Sequence, residues 1–313
     1  MYTRVKKVSV GDDKVNYEGW LIYNGGLATE KFVELHHWYI ETAKTYQINL
    51  TAVANNSLYI GIEKDQLTLE TQFKRPDFIL FLDKDVQLAH QLSMLGVPVF
   101  NSAETIAICD NKITMHQQLA KENLPQPLTI FAPMLFSQKT EPDQQFLDYI
   151  EDQLSYPMII KEAHGSFGQQ VYLIKTRQQL EEKAKALIHQ PHLFQKYIQS
   201  SHGRDIRLHV VGSSVVASMK RVSKDDFRAN ITNGGEMLAI EPSQDFIDLA
   251  ITASRAVGAD FSGVDLLFDE KDQPIICEVN SNAHIKNIYD CTSIDVATFI
   301  FEHILNKLKG HSS

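Results

Sequence analysis

Cysteine is scarce in this sequence: three residues in 313, at positions 109, 277 and 291, with no CxxC pair and no zinc-ligand spacing. That argues against a disulfide framework or a zinc module, and a reduced compartment is the simplest expectation. No apolar run approaches the 18 or so residues that a membrane-spanning helix needs. The first residues, MYTRVKKVSVGDD, lack the apolar core of a signal peptide, so the expected location is the cytoplasm. Positive charge is in deficit, with a net charge of 30 − 39 = −9. This disfavours a protein that grips a phosphate backbone by bulk charge, and no direct nucleic-acid binding is expected. Two nucleotide signatures, GxxxxGK[ST] and GxGxxG, are also missing, which sets aside the P-loop and dinucleotide-binding fingerprints.

What remains is an ordinary soluble composition, 43% hydrophobic and 22% charged, in a chain long enough for two or three structural units. Over the first hundred residues, apolar strands alternate with amphipathic helices. The strands are Trp20–Gly26, Ile48–Asn55, Asp77–Asp83 and Val97–Asn101; the helices are Thr29–Tyr46 and Val86–Gly96. Such alternation predicts an open α/β unit with a parallel sheet. A helix over 104–123 should break near Asp110–Asn111, and the proline-punctuated NLPQPLTIFAP reads as a connector. Beyond it lie a helix at 145–154, a strand, glycine loop and strand at 156–175, and a helix at 178–189. Strand segments at 193–198 and 205–222, a polar loop, a helix at 243–257, a hairpin at 263–280 and a last helix at 294–309 follow. Strands joined by tight turns predict antiparallel sheets here.

Three stretches carry chemistry. With its turn at Lys271–Asp272, the hairpin GVDLLFDEKDQPIICEVN pairs residues whose numbers sum to 543, so Asp265 faces Glu278 and Asn280 shares their face. Two opposed carboxylates repel, and a hard cation such as magnesium or manganese, held with Asn280, relieves this; a solvated acidic surface is the alternative. Ile275, Cys277 and Val279 are then expected to face the core. In IIKEAHGSFGQQV, Lys161 precedes a loop bracketed by Gly165 and Gly168, where backbone N–H groups can approach phosphate oxygens; a plain hairpin turn is the alternative. KRVSKDDFRANITNGGE gathers Lys220, Arg221, Lys224 and Arg228 in an acidic chain, which suits phosphoryl transfer; an ordinary surface loop is the alternative.

The order of these stretches resembles the ATP-grasp superfamily, in particular the RimK-like carboxylate–amine ligases. The resemblance covers roughly Asn101 to the C-terminus, and the segment before it is similar to a pre-ATP-grasp domain. It implies an N-terminal open α/β domain (1–103), linker helices and a central lobe (104–190) and a C-terminal lobe (191–313). It implies that Lys112 and Lys161 meet nucleotide phosphates and that Gly165, Ser166 and Gly168 belong to the loop that closes over them. Gln195, Lys196, Tyr197 and Ile198 correspond to the adenine hinge, Asp205 to the ribose position and Arg207 to an arginine of the same strand. Arg221 and Arg228 correspond to arginines at the reacting phosphate, Asn230 completes an R-x-N element, and Asp265, Glu278 and Asn280 correspond to magnesium ligands. The sequence departs from the family after Asn280, where SNAHIKNIYDC replaces the usual continuation, and at Lys196, where an acidic residue is common.

The implied activity is an ATP-dependent ligation: a carboxylate is activated as an acyl phosphate and captured by an amine. The implied cofactors are ATP with Mg2+ or Mn2+. The implied substrate is an amino acid such as glutamate, added to a peptide, protein tail or small molecule, and a homo-oligomer is expected. His164 and His284 are candidate bases. The alternatives are a nucleotide-binding sensor or scaffold module without turnover, and a metal-dependent hydrolase using His36 and His37.

Overall fold

The computed structural model describes residues 17–310, apart from Ala28, Phe167 and residues 230–234. The N-terminal unit runs β1 (Tyr17–Tyr23), α1 (Glu30–Lys44), β2 (Ile48–Ala54), a hairpin of β3 (Tyr59–Glu63) and β4 (Gln66–Glu70), β5 (Phe78–Phe81), α2 (Val86–Met94) and β6 (Val99–Phe100). Its main sheet has the order β2-β1-β5-β6 and is parallel throughout. All four residues of β5 are buried, as expected for a strand covered on both faces. The β3–β4 hairpin has no counterpart in the sequence reading.

The chain continues through α3 (Ala103–Asp110), α4 (Lys112–Lys121), β7 (Thr129–Phe131), α5 (Gln144–Leu154), β8 (Met158–Glu162), β9 (Val171–Ile174), α6 (Arg177–Ala186) and β10 (His192–Lys196). The break between α3 and α4 falls at Asn111. Its extended backbone ends one helix, and its side chain caps the next by accepting from Ile113 and Thr114 N–H. The central sheet, β7-β10-β8-β9, is antiparallel and packs on α5 and α6 through Leu147, Ile150, Leu180 and Phe194. Strand β10, on the far side of the expected 190/191 boundary, pairs with β7 and β8 in this sheet.

The last region comprises β11 (Arg204–Val211), β12 (Ser214–Val222), β13 (Glu236–Ala239), α7 (Gln244–Ala256), β14 (Phe261–Phe268), β15 (Pro274–Asn280), α8 (Ile285–Thr292) and α9 (Val296–Gly310). Its five strands form an antiparallel sheet ordered β13-β12-β11-β14-β15. Helix α9 buries Val296, Ala297, Ile300, Phe301 and Ile304, a helical stripe. Through that stripe, α1 and the N-terminal sheet share one core with β11 and β12. Asn101 forms the second joint. Fully buried, its amide donates to Phe261 O and Ser281 O at 2.8 Å each and accepts from Asp260 N–H at 2.7 Å. The N-terminal unit is thus locked to both the start of β14 and the chain leaving β15.

Candidate active site

The five-stranded sheet carries a lattice of charges on one face. Asp205 pairs across the strands with Arg221, and Arg207 with Asp265, which in turn pairs with Glu278. Alternation along β11 puts Asp205 and Arg207 on the same face. Arg207 donates to both oxygens of Asp265 at 2.7 and 2.6 Å, and Arg221 to both of Asp205 at 2.7 and 2.6 Å. Arg221 also lies 3.0 Å from Asp265 Oδ2. Burial opposes the charge of Asp265, but Arg207 and Arg221 outweigh it and hold the carboxyl at about 2. Asp205 moves upward, because burial outweighs the pull of Arg221. Arg221 stays protonated, since its two carboxylates overcome the cost of burial.

The hairpin reaches the expected Asp265–Glu278 pairing by an unexpected route. Near the turn the pairs sum to 542, as in Leu266 with Ile276, and a bulge at Cys277 restores 543. The bulge corrects the facing of this strand. Ile276 and Val279 join the core, whereas Cys277, expected there, lies on the cavity wall with its sulfur 3.9 Å from Lys161 Nζ. Burial raises the Cys277 thiol, so it is held protonated. Gly263, opposite Asn280, is needed because a Cβ there would lie 2.4 Å from Ala283 Cβ, where the chain folds back over the sheet.

Above this floor lie the lysines and the glycine loop. Lys112, at the first position of α4, is buried and donates to Gly165 O at 3.2 Å, with Glu278 3.8 Å away. Lys161 projects from β8 and is also buried. Gly165 and Gly168 have φ of +150° and +71°, and a Cβ at 165 would meet Gln170 Oε1 at 2.4 Å, so glycine is required. The loop is held from two sides. Arg228 donates to Gly168 O at 2.5 Å, while Lys84 bonds Ser166 Oγ at 3.1 Å and pairs with Asp110. His164 meets the same Asp110 at 3.3 Å.

The end of β10, expected to be the adenine hinge, is braced by a buried polar chain. Gln195 contacts Thr129 Oγ1 at 2.8 Å and His116 Nε2 at 3.3 Å, and His116 Nδ1 lies 2.7 Å from Gln126 Oε1. Burial pushes His116 down to about 3, so the ring is neutral and can accept at Nε2 while donating at Nδ1.

These groups surround one cavity of about 500 Å³, within the size range of small-molecule sites. Every residue that the resemblance assigned to nucleotide, metal or reacting phosphate lines it except Asn230, which lies outside the described residues, whereas His164, Lys220, Lys224 and His37 are not among the lining residues. Arg221 lines the cavity from beneath, its donors taken up by two aspartates, so Arg228, 26% exposed at its side chain, is the more available arginine.

Residues 109–304 match the RimK-like ATP-grasp domain. The chain belongs to this family. Human N-acetylaspartylglutamate synthase A is 31% identical over 278 residues, spanning 85% of this chain and 68% of that protein. Mouse beta-citrylglutamate synthase B is 32% identical over 230 residues, spanning 72% of this chain and 57% of that one. Among solved structures, the ATP-grasp ligase PsnB complexed with minimal precursor, Mg and ADP superposes with a TM-score of 0.67 at 14% identity, covering 93% and 98% of the two chains; this likeness speaks for the fold. The protein is an ATP-grasp carboxylate–amine ligase.

The cavity of this ligase also contains residues the sequence did not flag. Asn24, Lys31, Phe32, Asp83 and Lys84 enter from the N-terminal unit and Asn287 from the segment after β15, where His284, the candidate base, also lines the cavity. Asn282 donates to Leu82 O at 2.8 Å, tying that segment to the end of β5. Strand ends carrying polar residues into a cleft were the available signal, but their partners lie up to 200 positions away. His36 is buried against Tyr23 and adjacent His37 is exposed, so the two do not share one face. Among the described residues no cluster of three or more His, Cys, Asp or Glu side chains forms a metal cage, and no helix is long and apolar enough to cross a membrane.

The donors expected for a divalent ion are all oxygens, from Asp265, Glu278 and Asn280. Among the described residues, Asp265 Oδ1 accepts a hydrogen bond only from Arg207, and Glu278 has only the Lys112 ammonium, 3.8 Å away, as an ion-pair partner. Lone pairs therefore remain on both carboxylates. A hard ion that draws its remaining ligands from water and phosphate oxygens fits this incomplete set.

Proposed function

We propose that this ligase joins glutamate, or a closely similar amino acid, to a carboxylate-bearing small molecule, peptide or protein tail, using ATP with magnesium or manganese. The observation that carries the reading is the convergence of Lys112, Lys161, the glycine loop, Arg228 and the Asp265–Glu278–Asn280 face on one cavity. The glutamate assignment draws on the names of the human and mouse relatives, both glutamate-adding synthases. A cytoplasmic site of action fits an enzyme that consumes ATP.

In this reading the nucleotide lies with its base at Gln195–Ile198 and its phosphates between the glycine loop, Lys112 and Lys161. A substrate carboxylate oxygen attacks the γ-phosphorus; the bond to the β,γ-bridging oxygen breaks and ADP departs. The amine then attacks the acyl carbon, phosphate leaves with the bonding electrons, and the ammonium proton is lost to give the amide. Arg228 and the loop N–H groups face the oxygens on which charge develops. Arg207 and Arg221 keep Asp265 ionised and aligned. When bound by Asp265, Glu278 and Asn280, a magnesium or manganese ion supplies charge neutralisation to the phosphates. Lys84 and Arg228 hold the loop from opposite sides, which favours its closed position.

An ADP-release screen with pooled amino acids and acids, with mass spectrometry of the products, tests the assignment; amino-acid-dependent ADP release is the expected result. ATP binding without turnover across the panel would favour the sensor module. Glu278→Gln should lower turnover by roughly 1,000-fold, the scale of losing several kcal/mol of charge stabilisation, with the fold intact. Near-full turnover of that variant would remove the metal assignment.

A further inference from the structure

Of the basic side chains lining the cavity, Lys31, Lys161 and Lys196 alone lack a carboxylate within ion-pair distance among the described residues. Arg207 faces Asp265, Arg221 faces Asp205, Arg228 faces Asp226 and Lys84 faces Asp110. Lys161 and Lys196 stand on the central sheet, where the nucleotide is placed. Lys31 does not. It comes from the first turn of α1, in the N-terminal unit.

The surroundings of Lys31 are a built wall. The neighbouring Phe32 packs its ring 5.4 Å from that of His284, joining the start of α1 to the segment after β15. Asn282 fixes the same segment to Leu82 O at the end of β5. Asn287, in the first turn of α8, lines the cavity beside them. Arg207 spends its Nε and one terminal nitrogen on Asp265, and its other terminal nitrogen retains donors, since a guanidinium has five N–H groups. This end of the cavity is electropositive: burial, followed by the charges of Lys31 and Arg207, pushes His284 down to about 4. The imidazole is therefore neutral at pH 7.

We propose that Lys31, with Asn287 and the spare donors of Arg207, forms a specificity subsite for a non-reacting carboxylate of the amino-acid substrate. The proposal rests on the amino-acid ligase reading above and adds which residues select the substrate. The nucleotide phosphates are accounted for at the other end by Lys112, Lys161 and the glycine loop. The carboxylate that becomes the acyl phosphate must lie at those phosphates. The exposed Lys31 ammonium, with no carboxylate within ion-pair distance among the described residues and with neutral amide and imidazole groups in the same part of the lining, then matches a second carboxylate that takes no part in the chemistry. Glutamate, whose two carboxylates both remain intact when its amine is acylated, has that chemistry. The N-terminal unit thereby contributes to substrate selection as well as to packing.

The test is calorimetric titration of L-glutamate, L-glutamine and glutamate α-amide into the full-length protein saturated with magnesium and a non-hydrolysable ATP analogue. It compares wild type with Lys31→Met, Lys31→Arg and Lys31→Glu. Lys31→Met should weaken glutamate binding about 10- to 100-fold, the range of one charge-assisted hydrogen bond. One of the two amides should suffer the same loss against wild type and no further loss against Lys31→Met, which identifies the carboxylate held. Lys31→Arg should recover part of the affinity, Lys31→Glu should abolish it, and affinity for the ATP analogue should stay unchanged throughout. Unaltered glutamate affinity in Lys31→Met, or ligand and protein penalties that simply add, would overturn the subsite. Failure of any amino acid to bind the loaded wild-type protein would instead overturn the amino-acid reading, and the subsite with it.

Discussion

At the sheet end of the cavity, Arg207 and Arg221 face Asp205 and Asp265 from adjacent strands in one register, with Asp205 held by two nitrogens of Arg221 and Asp265 by two of Arg207 and one of Arg221. At the N-terminal end, Lys31, Leu82 and His284 arrive from three segments far apart in the chain, joined by one amide–carbonyl bond and one ring contact. The first end is held rigid by backbone ladders that exist whether or not a ligand is present. The second depends on how the N-terminal unit seats against the C-terminal sheet. In the proposed function the handling of ATP sits on the ladder, and in the proposed subsite the choice of substrate sits on the joint. A family can change its substrates by altering the second without disturbing the first.

The sharpest way to break the ladder is Arg221→Met. Removing Arg221 from the buried ion-pair cluster leaves Asp205 uncompensated and Asp265 with Arg207 alone, at a cost of about 3–5 kcal/mol. Urea denaturation should show that loss. An unchanged midpoint would mean that Arg207 alone can neutralise the floor. The joint has its own test in Asn101→Ala, which strands the polar groups of Asp260, Phe261 and Ser281 and should cost about 1–3 kcal/mol. Because Asn101 anchors the carbonyl of Ser281, the variant should also raise KM for the amino acid more than KM for ATP. Equal effects on both would show that the two ends are not separable.

The ladder was readable because strand alternation and hairpin register are local properties. Asp265, Glu278 and Asn280 could be placed on one face by counting from the turn, even though the bulge at Cys277 altered the counting. The bulge itself has no signal in IICEVN, and this is why Cys277 was assigned to the core. The β3–β4 hairpin escaped for a related reason. Its turn is Lys64–Asp65, both with positive φ, at 48° and 65°, where Asn-Gly or Asp-Gly would have advertised the turn. The proposed substrate end could be read only in part: His284 and the segment after Asn280 stood out, but no local pattern states that α1 meets that segment. Strand β10 illustrates the same limit: its sequence reads as a strand, but its sheet is decided by pairing with β7 and β8.

Acid should act on both ends at once. Burial holds His116 and His209 at about 3 and His284 at about 4, below the ordinary 6.5. Between those values the unfolded chain binds protons that the folded chain refuses. Stability should therefore fall as pH drops below 6.5, by roughly 1.4 kcal/mol per pH unit for each histidine. Asp265 adds to this only below its ordinary 3.8, as its contribution is lost toward about 2. A flat stability profile from pH 7 to 5 would contradict the neutral, buried state of these rings. The smallest effect is expected for Lys84→Met, which removes a half-exposed tie to Asp110 and Ser166. Stability should change by less than about 1 kcal/mol, while KM for ATP should rise a few-fold as the glycine loop loses one of its holds beside Lys112 and Arg228. A fall in kcat/KM for the amino acid alone would place Lys84 at the substrate end instead.

The most direct test of the central claim is the stoichiometry of turnover. With ATP, magnesium, glutamate and the acid identified by the product screen, the account predicts ADP, inorganic phosphate and amide in equal amounts, with none formed when either the amine or the acid is withheld. Release of AMP and pyrophosphate, or steady ADP formation without amide, would contradict a ligase that proceeds through an acyl phosphate.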